Sequence, residues 1–220
     1  MIEIPESVET WEETEKTIGE TLPVIYGADA ATLGWIRQWN EVIEADCPLY
    51  YDEELAQRLG YKTIPAPAGM AMAVGTASWW EPGVEEGRVG PLYPLAMPML
   101  VPTPRHSLGF ATDTEVEFLR PLYPGDTLRQ VGRLVSVTRK RLKVGDGAFF
   151  TVEIEFINQN DETVAIQRVT TWSGNPVEAV SYTHLWSRST SISSWGKRGK
   201  GSDCRGLRRL TNSPCPLRVF

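Results

Sequence analysis

Glu44, Asp46 and Tyr50 are the titrating side chains of the short segment in this chain whose residue types come nearest to a reaction centre. From Ala45 to Gly69 the sequence reads A-D-C-P-L-Y-Y-D-E-E-L-A-Q-R-L-G-Y-K-T-I-P-A-P-A-G, a proline turn leading through an acidic stretch into small residues. A carboxylate here could act as a general base, but moving protons to and from carbon also needs an acid, and the segment holds no histidine. Tyr50 substitutes poorly, because a phenol of pKa about 10 stays protonated at neutral pH and offers a hydrogen bond instead. Side-chain direction changes at each residue of a tight turn, so the plainer reading of Glu44 and Asp46 is a pair of solvated turn carboxylates. His106, in P-R-H-S-L-G, has no titrating partner in view and reads as a surface or supporting side chain.

The elements that would position this segment follow from periodicity. L-P-V-I-Y at 22–26 reads as a short strand, and Asp29 as the cap of a helix over 30–43, where Leu33, Ile36, Trp39, Val42 and Ile43 recur at helical spacing. Asp52-Glu53-Glu54 opens a second short helix that Gly60 ends. Residues 66–78 are small and apolar on every side, the pattern of a buried helix. Proline and glycine crowd 81–109, which suggests a flap or long crossing loop. Alternating patterns then predict strands over 113–119, 127–140, 148–157 and 163–172, with turns at G-D-G (145–147) and N-Q-N-D-E (158–162). The expected class is α+β: one buried helix followed by an antiparallel meander.

The order of these parts resembles the hot-dog fold of the MaoC-like (R)-specific hydratases and 3-hydroxyacyl dehydratases, a long buried helix wrapped by a curved antiparallel sheet. Two motifs carry the resemblance. The family signature Gly-Asp-x-Asn-Pro-Leu-His-x-Asp, laid on Pro48 and Leu49, puts its catalytic Asp on Ala45, its Asn on Cys47 and its His on Tyr50. R-P-L-Y-P-G-D at 120–126 is similar to the family's turn between strands two and three. P-L-Y-Y-D-E-E followed by G-Y and A-P is closer to the N-terminal-half, FAS1-like dehydratase subfamily than to the catalytic half, and together these features cover about residues 10–172.

The resemblance implies water loss from a (3R)-hydroxyacyl thioester, or its reversal, on CoA or an acyl carrier protein. The usual dyad is missing, and Asp46 and Glu44 are the weak substitutes. Gly69, nineteen residues after Tyr50, is placed to let a thioester carbonyl approach a backbone amide, with tight helix packing as the alternative. Tyr50, Ala68, Met70, Trp79 and Trp80 are the further substrate-binding positions implied, and Met97 and Met99 suit either a tunnel wall or the core. The expected role is a non-catalytic partner of a hot-dog subunit that carries the dyad, with a homodimer, an independent hydratase and an acyl-thioester binding module as alternatives.

Composition limits the remaining options. At 220 residues and 41% hydrophobic the chain can bury a normal core. Its net charge of −6 divides into +7 over 181–220 and −13 over the first 180 residues, a body that repels nucleic acid phosphates. The apolar stretches are short and the start is acidic, so neither a membrane span nor a signal peptide is expected, and the cytoplasm is the expected location. Cys47 stands alone in the first 180 residues and reads as a reduced core thiol. No phosphate loop, metal-spaced His/Cys cluster or nucleophile elbow is present, so no cofactor or metal is expected. The domain is expected over 1–178. Residues 179–220 lack periodicity, and S-Y-T-H-L resembles translated adaptor sequence, so a disordered basic arm or sequence foreign to the domain is expected there.

Overall fold

The computed structural model describes residues 5–78 and 96–176. Among them, strands β1 (Ile25–Tyr26), β2 (Leu108–Phe118), β3 (Leu128–Arg139), β4 (Asp146–Asn158) and β5 (Thr163–Asn175) form one sheet in the spatial order β1-β3-β4-β5-β2. Every pairing is antiparallel. Period-two alternation sets the faces: Phe150, Val152, Ile154 and Phe156 of β4 are all buried on one side, joined there by Ala165 and Val169 of β5 and by Leu128 and Leu134 of β3. Each such side chain withdrawn from water contributes roughly 1.5–3 kcal/mol.

Helices α1 (Trp11–Glu15), α2 (Leu33–Val42), α3 (Glu53–Arg58), α4 (Met70–Val74) and α5 (Ala96–Met99) complete the described elements. Buried Met70, Ala71 and Val74 of α4 join the cluster formed by the inner sheet face. The apolar run at 66–78 yields only these five helical residues. Pro65 and Pro67 disfavour helical backbone at the residues before them, which delays the start. At the other end Thr76 gives its carbonyl to the amide of Ala28 (2.9 Å), away from the helix axis. Met97 of α5 is core, lying where a Cβ on Gly132 would come within 2.5 Å of its Cγ, while Met99 is exposed.

Four further expectations are corrected. Asp29 caps nothing: Thr32 accepts from the Trp35 amide (3.1 Å), and α2 starts at Leu33 because the Ala31 backbone is engaged with Gly125 and Asp126. The L-P-V-I-Y strand shrinks to its last two residues. β2 begins at Leu108, inside the stretch expected to be irregular, where Phe110 stacks on Trp172 with ring centroids 5.2 Å apart. Nor is the sheet a simple meander. β3, β4 and β5 are neighbours in order, but β2 lies at the far edge beside β5. The R-P-L-Y-P-G-D stretch therefore connects strands on opposite sides of the sheet. It runs past the β4–β5 turn, held by Arg120–Glu162 (2.7 Å), by Leu119 N–H to Val164 (2.8 Å) and by Thr127 N–H to Gln159 (3.0 Å).

On the outer face a single register row carries alternating charge: Arg133, Glu153, Arg168 and Glu115, one from each of four adjacent strands. Glu153 is buried and ion-paired to both arginines. Burial alone would raise its pKa, but the hydrogen bonds and positive charge of Arg133 and Arg168 hold it below the ordinary value. A carboxylate with a depressed folded-state pKa contributes stability that is complete above its unfolded pKa, about 4.3, and is lost as pH falls through the folded value. Wild type should therefore lose more stability than Glu153→Gln when the pH is taken from 6 to about 3, as read by denaturant midpoints at each pH.

Candidate functional site

Helix α2 ends in a backbone motif that shapes the segment after it. Ile43 caps the helix, Glu44 N–H bonds to Glu41 O (3.3 Å), and Ala45 N–H bonds to Asn40 O (2.9 Å). These are the two bonds of a Schellman stop, with Glu44 in the left-handed position at φ 51. Glycine is the favoured residue there. Glu44→Gly is accordingly expected to stabilise the fold by about 1 kcal/mol in denaturant unfolding.

The chain then turns through Cys47 into a 3-10 turn, Pro48–Tyr50, against which α2 and α3 both pack. Tyr51 ties the loop shut by donating its hydroxyl to Ala45 O (2.8 Å). Asp52, a family-signature residue, caps α3 by accepting from the Leu55 amide (2.9 Å), and Thr63 donates to Glu53 (2.8 Å). Cys47 is exposed, contrary to a core thiol, because it stands at the outer corner of the turn. Asp46 is exposed as well, and Ala45 is half-buried.

Tyr50 is half-buried, and burial, followed by the nearby Cys47 and Tyr61, pushes its phenol above the ordinary value. It stays protonated at neutral pH and can only donate or accept a hydrogen bond. Tyr61 beside it belongs to the G-Y pair that carries the subfamily resemblance, but it is not among the site residues expected from the sequence. Asn40 was also missed. It is fully buried, one turn beyond buried Ile36, and its amide nitrogen and oxygen have no partner among the described residues. Counting only apolar positions in the helical pattern hides such a residue.

The two motif segments meet. Ala66 N–H bonds to Leu122 O (2.7 Å), and Lys62 N–H to the Tyr123 hydroxyl (3.3 Å), so R-P-L-Y-P-G-D braces the approach to α4. Gly125, at φ 94, makes the turn that lets Asp126 accept from Tyr123 N–H (2.8 Å) and from Gln159 (2.9 Å). This pair is structural, as its sequence suggests.

Gly69 immediately precedes α4 with ordinary right-handed dihedrals (φ −60, ψ −18). A Cβ built on it meets nothing within 4 Å. Close packing therefore does not explain a glycine here. The amides of Met70 and Ala71 are engaged by Pro67 O (2.8 Å) and Ala68 O (3.1 Å), whereas Gly69 N–H has no backbone acceptor among the described residues. Ala68 is exposed and Met70 buried, whereas Trp79 and Trp80 lie outside the described residues. His106 is exposed, near Pro104 O (3.0 Å), beyond the start of β2, whereas the bracing turn follows the end of that strand. A cleft of about 760 Å³ is lined by Trp11, Glu12, Arg105, Arg139, Asp146 and Asn175. Arg139 in it is paired with Glu12, Arg105 donates to the Ser7 hydroxyl (3.3 Å), and the motif residues are absent from it.

The model of the FAS1-like dehydratase domain region matches residues 17–167, which includes both motifs and the sheet into the first residues of β5. The chain belongs to the FAS1-like dehydratase domain family. It shares 33% identity over 157 residues with a protein of Thermomonospora curvata called probable enoyl-CoA hydratase alpha subunit, a match covering 70% of this chain and 47% of that one. The chain thus spans about half the length of this curated relative. Among solved structures it is similar to the ChsH1-ChsH2 complex from Mycobacterium tuberculosis (TM-score 0.56, 22% identity, 76% of this chain and 94% of that one). A second similar structure is an Archaeoglobus monoamine oxidase regulatory protein (TM-score 0.51, 18% identity, 80% of this chain and 100% of that one). The fold of this FAS1-like dehydratase domain is accordingly the MaoC-like hot dog. No helix among its described residues is long and apolar enough to cross a membrane.

Proposed function

We propose that this chain is the substrate-binding subunit of a heteromeric (3R)-hydroxyacyl-thioester dehydratase, an enoyl-thioester hydratase in reverse, and that a second hot-dog subunit carries the proton-transfer pair. The observation that carries this reading is the chemistry left at the family's two catalytic positions: a methyl group at Ala45 and a protonated phenol at Tyr50. Neither can take a proton from water. Glu44 occupies the left-handed helix stop and Asp46 is exposed, so no described partner holds either as a base. The alpha-subunit relative and the two-component solved complex support the presence of a partner subunit.

Hydration adds a hydroxyl to C3 and a proton to C2 of the enoyl thioester. The second subunit would take the proton from water and supply the one at C2. This chain would hold the acyl thioester in the space before Gly69, whose N–H is a donor for the thioester carbonyl as negative charge develops on it. Tyr50 adds a second hydrogen-bonding group, and Ala68 and Met70 flank the same turn. The reaction calls for no metal or cofactor beyond the CoA or carrier-protein thioester, and the setting is the cytoplasm.

An independent hydratase would depend on Asp46 or Glu44. In the assembled enzyme, Glu44→Ala with Asp46→Ala should keep kcat within about twofold of wild type. Loss of about a hundredfold or more would assign the base to this chain and overturn the proposal.

A further inference from the structure

Two glutamines face the apolar core from the sheet, Gln130 of β3 and Gln167 of β5, and the Oε1 atom of each is buried with no hydrogen-bond partner among the described residues. Gln130 has a structural task, since its Nε2 donates to Gly75 O at the end of α4 (2.7 Å). Gln167 has none, for its Nε2 makes no hydrogen bond among the described residues either. Its neighbours on the inner face are Ala165 and Val169 along β5, Ile154 across on β4 and Val116 across on β2. None of these side chains can hydrogen-bond, and a buried amide left so destabilises the fold. The inner face beside it is open: Val116 is half-buried, while Thr114 and Phe118 on either side of Val116 are exposed. The Phe118 end of that face leads toward the candidate site. Leu119 N–H bonds there to Val164 O (2.8 Å), and Leu122 O takes the amide of Ala66 (2.7 Å), three residues before Gly69.

We propose that Gln167 determines acyl-chain specificity by binding a hydroxyl group carried on the chain beyond C3, so that this protein takes hydroxylated acyl thioesters in preference to plain alkyl ones. This rests on the thioester-binding role proposed above and names the substrate class of that site. A hydroxyl is the group that completes the amide, because it donates to Oε1 and accepts from Nε2 at once. A ketone or ether can only accept, which leaves Oε1 unpaired, and a methylene satisfies neither end. A plain chain drawn over Val116 would seal the unpaired amide from water, and that penalty is what rejects it. The 3-hydroxyl is a different group, since it must face the proton-transfer pair of the second subunit. Gln130, two strands further from β2 and already bonded to Gly75, takes no part in the choice.

Calorimetric titration of the full-length chain with decanoyl-CoA, and with decanoyl-CoA bearing one hydroxyl at successive carbons beyond C3, tests the assignment. At least one hydroxylated isomer should bind wild type about tenfold or more tighter than decanoyl-CoA. Gln167→Leu and Gln167→Met should lose that preference, bind decanoyl-CoA at least as tightly as wild type, and unfold at a higher urea concentration because the unpaired amide is gone. A purely structural glutamine would give the reverse, lower urea midpoints and equal weakening of every ligand, and that result would overturn the inference. Equal binding of all the esters by wild type would overturn it too, as would a preference that survives in both variants. These outcomes leave thioester binding itself intact. Binding of no acyl-CoA at all would instead remove the thioester-binding role and this inference with it.

Discussion

Gly69→Val is expected to leave the chain as stable as wild type and to lower kcat of the assembled enzyme by about 10²–10³-fold. The stability half follows from space: a Cβ at this residue meets nothing within 4 Å, and its dihedrals are ordinary right-handed values that any residue adopts. The activity half follows from the use proposed for that space. An isopropyl group beside the Gly69 amide should hold the proposed thioester carbonyl beyond hydrogen-bond distance, removing a donor whose worth grows as charge develops on the oxygen. Gly69→Ala should fall between the two. Unfolding midpoints and steady-state hydration by the same preparations check both halves. A large stability loss with unchanged kcat would return Gly69 to a packing role.

Gly27→Ala should behave in the opposite way. A Cβ at Gly27 would lie 2.1 Å from Val74 O and 2.9 Å from Leu128 O, so it would separate the end of α4 from the first residues of β3. Both obstacles are backbone carbonyls and neither can rotate aside. The substitution also strains the bonds by which Gly27 and Ala28 donate to Leu128 O (2.8 Å) and Thr76 O (2.9 Å). A loss of about 3 kcal/mol or more is expected in denaturant unfolding, at the upper end for overpacked sites. Catalysis should fall only through loss of folded protein, leaving KM unchanged.

These two glycines show how far sequence could go. Periodicity placed β3, β4 and β5 within a few residues, because their alternating apolar sets are long and unambiguous. It could not place β2, since strand order depends on which edge a distant segment reaches, and the connection through R-P-L-Y-P-G-D suits a hairpin as well as a crossing. The helix at 66–78 was over-read for a related reason: small apolar residues mark burial, while helix length was decided by Pro65, Pro67 and the diversion of Thr76. Thr32 and Asp29 are equally good caps on paper, and only the docking of Ala31 against Asp126 chooses between them. At the site, the absence of a dyad at Ala45 and Tyr50 was legible from residue identity alone. The contrast between Gly69 and Gly27 was not, because one glycine faces open space and the other a carbonyl, a difference made by residues far along the chain.

Hydration of an enoyl-CoA, followed by loss of its conjugated absorbance, tests the division of labour most directly when this chain is assayed alone and then titrated with a MaoC-like subunit that retains the Asp and His. The expected result is no turnover above background for the chain alone, activity that saturates at one partner per chain, and loss of about 10²–10⁴-fold when the partner's Asp or His is replaced. Robust turnover by this chain in the absence of any partner would contradict it.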